Sequence, residues 1–349
     1  MHRVRIALRS FLSFAAIPAV GILAGCVYRS PGTLQAPSHT PLTPVQQQLR
    51  RELVRDVHVL ATEIGPRNAA YTPRQIYEAE GWIAGELAEA GLEVHRVEVR
   101  MGEARVANLE VTFPGNRLSE QILVFGAHYD THVGSPGAND NASGVALLLA
   151  AARRLRDAEF DRTVRIVFFV NEEYPFTTGI QMGSKVYAKH CLAQGDDLVG
   201  VVAVDSVGTY SNEPGSQKYP LLALNLPRTG NFVAFGSNKE NVPLLDAVVS
   251  AFQAQSEFPS IGIASDSKHA SRGDHAAFWW NGYPAIAMTD TSEFRDPHYH
   301  APSDRAENLN YEEMARLAEG FLATIRALAD ESTELPVRGP PSVDSAELP

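Results

Sequence analysis

Residues 122–130 read ILVFGAHYD, a continuous apolar run that passes directly into His128 and Asp130. Such a run is typical of a strand buried on both faces. Three more apolar runs are also followed by polar side chains: residues 164–170 before Glu172 and Glu173, residues 199–204 before Asp205, and residues 285–289 before the loop with Tyr299 and His300. Because ligands bind beyond the carboxyl ends of strands in open α/β sheets, the four segments predict one polar site at one sheet edge.

Helical periodicity alternates with these strands. It predicts helices over residues 44–63, 72–91, 142–155, 183–190, 241–254 and 311–329, with Thr72 and Gln75 forming a capping box. Residues 106–113 alternate between apolar and polar side chains, which predicts a half-exposed strand. Together the elements indicate an α/β fold with a mixed, mainly parallel central sheet and helices on both faces.

Composition excludes several classes of protein. The 349 residues carry a formal net charge of −11, so a broad basic face for nucleic acid is excluded. Only two cysteines are present, Cys26 and Cys191, which excludes a disulfide scaffold and a cysteine-rich zinc site. We interpret Cys191 as a small buried residue.

The N-terminal residues have the form of an export signal. Residues 1–25 combine a basic start, a short apolar run and small residues, and they end just before Cys26. The sequence around Cys26 resembles the lipobox of bacterial lipoproteins, which predicts a lipid anchor in the cell envelope, at the outer membrane or the periplasmic face. An ordinary signal peptide with an accidental cysteine is the alternative interpretation.

Domain boundaries follow from proline content. Residues 26–45 are rich in proline, serine and threonine, and we interpret them as a flexible tether after the lipidated cysteine. Residues 46–330 show no internal boundary, which indicates one domain whose residues 46–105 form a helical preface. Residues 331–349 are interpreted as a disordered tail.

The polar site has the composition of a metal centre. Carboxylates and imidazoles without thiolates suit zinc, and two histidines with three acids suffice for two ions if one carboxylate bridges them. A further carboxylate that binds no ion can then act as general base, and Glu172 next to Glu173 offers this division of roles. Taken singly, each residue also has a structural interpretation. His128 alone would be a structural histidine, Asp130 a turn cap, and Asp140 the N-cap of the next helix.

Several motifs, in order, resemble the M28 family of zinc metallopeptidases, which includes bacterial secreted aminopeptidases. The resemblance spans residues 106–329, and the motifs are GAHYD at 126–130, GANDNASG at 137–144, NEE at 171–173, VD at 204–205, DH at 274–275 and YHAPSD at 299–304. It implies a zinc exopeptidase-like fold and two zinc ions per chain. It also implies peptide substrates.

The resemblance also implies roles for individual residues. His128 and Asp205 would bind one zinc, Glu173 and His300 the other, and Asp140 both. Glu172 would be the general base, Asp130 would accept a hydrogen bond from His128, and Tyr299 would donate to the oxyanion. The turn after Glu173 is longer than in many family members, which reshapes a pocket wall, and the loop over residues 266–273 is placed along the cleft.

Three functions remain as hypotheses at this point. The first is a zinc exopeptidase, in particular an aminopeptidase, although the sequence does not distinguish cleavage at the amino end from cleavage at the carboxy end. The second is a single-zinc glutaminyl cyclase. The third is a binding domain without activity, which the complete ligand set disfavours. Side-chain preference and oligomeric state are left open.

Overall fold

A computed structural model describes residues 28–30, 40–219 and 226–336. The predicted signal peptide and Cys26 therefore lie outside the described residues. Within these ranges the strands are β1 Tyr28–Ser30, β2 His95–Met101, β3 Ala104–Phe113, β4 Gly115–His128, β5 Phe160–Phe169, β6 Asp197–Val204, β7 Val233–Ser237, β8 Ser260–Ala264 and β9 Ala285–Thr289. They form a single mixed sheet with the order β1-β8-β7-β9-β6-β4-β5-β3-β2.

The centre of the sheet is parallel and its flanks contain antiparallel pairs. Strand β4 pairs in parallel with β5 and with β6, and β6 pairs in parallel with β9. Outside this core, β3 runs antiparallel to β5, and β7 runs antiparallel to β9. The predicted mixed α/β sheet is confirmed, and the four strands expected to carry the polar site are its parallel centre.

Helices cover both faces of the sheet. They are α1 Pro44–His58, α2 Pro73–Glu89, α3 Gly144–Leu155, α4 Gly183–Gln194, α5 Val242–Gln255, α6 Asp274–Trp279 and α7 Tyr311–Ala329. Helices α1, α2, α3, α5 and α7 pack on one face, whereas α4 and α6 pack together on the other. Side chains of β4 alternate accordingly, with Leu123 and Phe125 in the larger core and Ile122 and Val124 in the smaller one.

The predicted capping box of Thr72 and Gln75 at the start of α2 is wrong. Thr72 makes no side-chain cap, because its hydroxyl is engaged with the backbone of Asn68 before the helix begins. The capping box belongs instead to α1, where Thr43 and Gln46 satisfy each other's backbone amides. The chain after α1 continues into a π-helical turn, Val59–Ile64, so the helical segment ends close to the predicted residue 63.

Two strand predictions need correction. Strand β3 is buried along nearly all of residues 106–113 rather than half-exposed, because α2 covers one face and α4 the other. The preface over residues 46–105 is not helical throughout, since β2 forms the edge of the sheet beside β3. Its alternating exposed charges are those of an edge strand.

Two described segments, residues 28–30 and 331–336, contact the domain outside its predicted bounds. Tyr28–Ser30, within the predicted tether, pair antiparallel with β8. Residues 331–336 of the predicted disordered tail pack on the domain, where the guanidinium of Arg162 donates to the carbonyl of Thr333 at 3.0 Å. Residues 337–349 lie outside the described part of the chain. Among the described helices, we find none with the length and apolar character needed to cross a bilayer.

Candidate active site

The parallel centre of the sheet gathers the predicted ligands at one edge. His128 is the last residue of β4, Glu172 and Glu173 follow β5, Asp205 follows β6, and His300 lies in the loop after β9. Asp140 lies in the segment Ala138–Ser143, which leads into α3 and whose backbone is extended rather than helical at Asp140. The convergence predicted from the strand ends is therefore present in the structure.

The ligand atoms form two groups that share one residue. His128, Asp140 and Asp205 make up the first group, and Asp140, Glu173 and His300 make up the second. His128 Nε2 lies 3.2 Å from Asp140 Oδ1, and His300 Nε2 lies 3.0 Å from Asp140 Oδ2. Asp140 thus turns one carboxylate oxygen to each group, as a bridging ligand must.

Distances within the groups suit small divalent ions. His128 Nε2 lies 3.7 Å from Asp205 Oδ1, and His300 Nε2 lies 3.0 Å from Glu173 Oε1. Ligands of one tetrahedral zinc lie about 3.3 Å apart, since zinc bonds to nitrogen and oxygen are about 2.0–2.2 Å long. In the part of the chain that the structure describes, buried His128 Nε2 and Glu173 Oε1 have no hydrogen-bond partner. This donor set, with two buried atoms that make no hydrogen bond, fits two zinc ions.

The charges of the site also favour bound cations. Burial raises the pKa of Glu173 to about 7, and repulsion from Asp140 contributes. Burial lowers the pKa of His300, but the carboxylates of Asp140 and Glu173 outweigh it and raise that pKa to about 10. Burial likewise lowers the pKa of His128, yet the carboxylates around it, with Asp130 the strongest, hold it well above its usual range. These shifts mean that the carboxylates draw positive charge into the site, and a divalent ion supplies it without protons.

The carboxylate of Asp130 makes two contacts that were not predicted. Its Oδ1 accepts the backbone N–H of Glu172 at 3.1 Å, and its Oδ2 accepts that of Glu173 at 3.0 Å. His128 Nδ1 lies 3.2 Å from the backbone carbonyl of Asp130 and 3.6 Å from its carboxylate. The carboxylate therefore fixes the backbone of the two glutamates, while the nearest acceptor for the imidazole is the carbonyl.

Glu172 has the environment of a general base. Burial raises the pKa of Glu172 well above its usual range, and although His128 opposes the shift, Glu173 and Asp274 reinforce it. A raised pKa improves a carboxylate as a proton acceptor near neutral pH. The role of Glu172 remains a prediction, and its position beside Glu173 is consistent with it.

His300 is held between two aromatic rings. The Tyr299 ring stacks on it with centroids 3.8 Å apart and planes 17° apart, and the His132 ring stacks on it at 4.2 Å and 15°. His132 lies partly exposed in the loop after β4, and its ring is in direct contact with that of His300. Burial raises the pKa of Tyr299, so its hydroxyl stays protonated, and its role toward an oxyanion remains a prediction.

Two further residues support the site and carried no predicted role. Fully buried Arg67 donates to five backbone carbonyls, including those of Tyr129 at 2.7 Å and Gly137 at 3.0 Å, so it joins the preface to the loop between His128 and Asp140. Asp304 accepts the amides of Asn139 at 2.8 Å and Asp140 at 3.1 Å. The YHAPSD motif, which contains Asp304, could have revealed the role of Asp304 from the sequence. Arg67 belongs to none of the motifs, so the sequence did not reveal its role.

Comparison with known proteins supports the same interpretation. Residues 108–325 match the signature described as Peptidase family M28. The Escherichia coli (strain K12) protein YfbL is 29% identical over 297 residues, which cover 82% of this chain and 90% of YfbL. A probable leucine aminopeptidase of Trichophyton verrucosum is 24% identical over 297 residues, which cover 79% of this chain and 73% of that protein.

Solved structures share the fold. A zinc aminopeptidase from Bacillus subtilis, BSAP, superimposes with a TM-score of 0.61 at 14% identity, covering 82% of this chain and 96% of the enzyme. A glutaminyl cyclase from Fimbriiglobus ruber superimposes with a TM-score of 0.59 at 19% identity, covering 82% of this chain and 97% of that enzyme. The fold is therefore that of zinc exopeptidases, as predicted.

Proposed function

Because this chain belongs to peptidase family M28 and is a metallo-exopeptidase, we propose that it is an aminopeptidase that works with two zinc ions. The observation that carries the proposal is the orientation of Asp140, whose two oxygens face different ligand groups. His128 and Asp205 would complete the first zinc site, and Glu173 and His300 the second. A single-ion site has no need of this shared carboxylate.

Two bound zinc ions would supply an activated water and polarise the scissile carbonyl. In this chain, Glu172 would accept the proton of the attacking water and deliver it to the leaving amine. The raised pKa of Glu172 supports that assignment, because the same group must take up and release the proton. Asp130 would hold the base in place through the backbone amides of Glu172 and Glu173.

Cleavage at the amino end is supported by the named relatives. The Trichophyton verrucosum protein is described as a probable leucine aminopeptidase, and the Bacillus subtilis structure as a zinc aminopeptidase. A free N-terminal amine would approach a centre lined by carboxylates, which suits its positive charge. The turn after Glu173 is longer than in many family members, and it leaves Tyr174 and Ile180 exposed. We therefore expect the preference for the substrate's N-terminal side chain to differ from that of relatives with a shorter turn.

A digest of a synthetic peptide library, read by mass spectrometry, tests the proposal. The zinc-loaded protein is expected to shorten peptides from the amino end, one residue at a time, and to spare peptides whose N-terminus is acetylated. Shortening from the carboxy end would reject the aminopeptidase assignment. Failure to cleave any member of a broad library would reject peptidase activity at this site.

A glutaminyl cyclase with a single zinc is the second candidate, because the Fimbriiglobus ruber enzyme shares the fold over 97% of its length. The presence of both His128 and Asp205 beside Asp140 argues for a second ion and against this candidate. Incubation with a peptide that begins with glutamine separates the two reactions. A cyclase would release ammonia, with a mass loss of about 17 Da from the peptide, whereas an aminopeptidase would release free glutamine.

Export and lipidation are also part of the proposal. Residues 1–25 and Cys26 support a lipid anchor in the cell envelope. Expression with radiolabelled palmitate in a bacterial host should label the wild-type protein and leave Cys26→Ser unlabelled. Equal labelling of the two proteins would contradict the anchor.

A further inference from the structure

Two loops near Asp205 are joined to each other. One loop spans residues 266–273 and leads into α6, and the other follows β9 and carries Glu293 and Phe294. The ring of His269 packs edge-on against that of Phe294, with centroids 5.8 Å apart. Arg272 Nη1 donates to Glu293 Oε1 at 2.8 Å. These two contacts join the loops into one surface, formed by residues 266–273 and by Glu293 and Phe294, which we call the wall.

This wall borders the candidate metal centre. A Cβ placed on Gly273 would stand 4.0 Å from Asp205 Oδ2, so the backbone next to Arg272 lies against a predicted zinc ligand. The second loop continues to Tyr299 and His300. Burial lowers the pKa of Arg272, but the negative charges of Glu293 and Glu172 and the phenol of Tyr299 outweigh burial and raise it above its usual value.

The guanidinium of Arg272 retains capacity for another acceptor. Its side chain is 53% exposed and that of Glu293 is 32% exposed. Of the three guanidinium nitrogens of Arg272, only Nη1 donates a hydrogen bond to a described residue, so Nε and Nη2 remain available to a ligand. A guanidinium with two neighbouring donors binds carboxylates through paired hydrogen bonds, a geometry that a lysine does not offer.

We infer that Arg272 forms a subsite for the free α-carboxylate of a short peptide, so that unblocked di- and tripeptides are the preferred substrates. This inference rests on the proposed function and adds the substrate class. Successive residues of an extended peptide advance by about 3.3–3.6 Å, which places the carboxylate of such a peptide within a few ångströms of the scissile bond. Glu293 competes for the guanidinium in the absence of substrate. The joined loops hold the arginine in place beforehand, which reduces the entropy lost on binding.

Two ligands that differ only in the terminal carboxylate test this subsite, both through their binding affinities and through their KM values. Leu-Leu and Leu-Leu amide differ only at the terminal carboxylate. Their affinities are measured by calorimetry in the zinc-loaded Glu172→Gln background, and their KM values in the active protein. We expect Leu-Leu to bind about 10- to 100-fold more tightly than the amide, as for one hydrogen-bonded charged pair.

Two variants with opposite expected effects sharpen the test. Arg272→Gln should raise the KM of Leu-Leu about 10- to 100-fold and leave that of the amide unchanged, whereas Glu293→Gln should lower the KM of Leu-Leu. Arg105→Gln is the matched control, because Arg105 is also exposed and paired with a glutamate, Glu98 at 3.1 Å, on the distant edge strands.

The outcomes separate this inference from the proposed function. The subsite would be overturned if the two ligands bound equally or if neither bound. It would also be overturned if Arg272→Gln changed the KM of both ligands equally, and Arg272 would then serve only as a contact between the two loops. Preferential binding of Leu-Leu that depends on Arg272, without hydrolysis of either ligand by the active protein, would retain the subsite and reject the aminopeptidase.

Discussion

The imidazole of His132 lies nearly parallel to that of His300, with ring centroids 4.2 Å apart. Tyr299 covers the opposite face of His300, so the ring can present only its edge to Asp140 and Glu173. Two flat neighbours restrict rotation of the imidazole about its bond to Cβ. We therefore assign His132 as a positioning residue for the second ligand group.

Replacing His132 tests that assignment through metal affinity. His132→Ala should weaken binding of one of two zinc ions by about 10-fold, the lower end of the effect of removing a residue that orients a ligand. His132→Phe keeps a flat ring and should retain most of the affinity. Competition with a chromophoric chelator measures both variants. Equal weakening in the two, or none in His132→Ala, would show that stacking does not position His300.

Glu172→Gln tests the general base. The substitution preserves size and removes the proton acceptor, so turnover should fall by about 10²- to 10⁴-fold while zinc affinity stays unchanged. Initial rates on a tripeptide and chelator competition are the two measurements. Activity close to that of the wild type would assign the base to another group.

Arg67→Met tests how the preface supports the site. The change leaves five buried carbonyls without their donor and should lower the free energy of unfolding by about 3–5 kcal/mol. Urea denaturation measures the change, with exposed Arg105→Met as the control, for which at most about 0.5 kcal/mol is expected. A loss below about 1 kcal/mol in Arg67→Met would mean that water replaces the guanidinium.

Asp290 is not a predicted zinc ligand, and its buried carboxyl predicts a pH dependence of stability. Burial raises its pKa from 3.8 to about 7. The folded state therefore holds a proton that the unfolded state releases, so this contribution is full below about pH 4 and is lost as the pH rises to about 7. The slope is at most about 1.4 kcal/mol per pH unit.

Asp290→Asn removes the titration and keeps the shape. Comparison of urea denaturation at pH 4.5, 6 and 7.5, with zinc saturating, should show the wild type losing stability relative to the variant as the pH rises. A constant difference between the two proteins would contradict the raised pKa.

The meeting of four of the predicted ligands at one sheet edge was predictable because it follows from the parallel direction of the strands that precede them. Once residues 122–127, 164–170, 199–204 and 285–289 are read as parallel strands, the polar residues after them must meet at one edge. Asp140 was also predictable, because the sequence places it in the loop directly before a predicted helix. The same reasoning predicted α7 at its observed bounds, because a long amphipathic helix has a strong periodic signal.

Other features depend on contacts that no local pattern encodes. The carboxylate of Asp130 accepts the amides of Glu172 and Glu173, and those two contacts depend on how two separate loops pack. Arg67 finds its acceptors in the preface and in the loop after β4, so its sequence neighbours do not reveal it. Strand β2 has the charged alternation of an exposed edge, which resembles a polar helix face as closely as a strand.

The number of zinc ions held by one chain tests the central claim most directly. Native mass spectrometry of the folded protein, after saturation with zinc and removal of loosely bound metal, reports that number. The account predicts two ions in the wild type, and one in His300→Ala or in Asp205→Asn. A wild type that holds one zinc, or none, would contradict a centre in which Asp140 joins two ions.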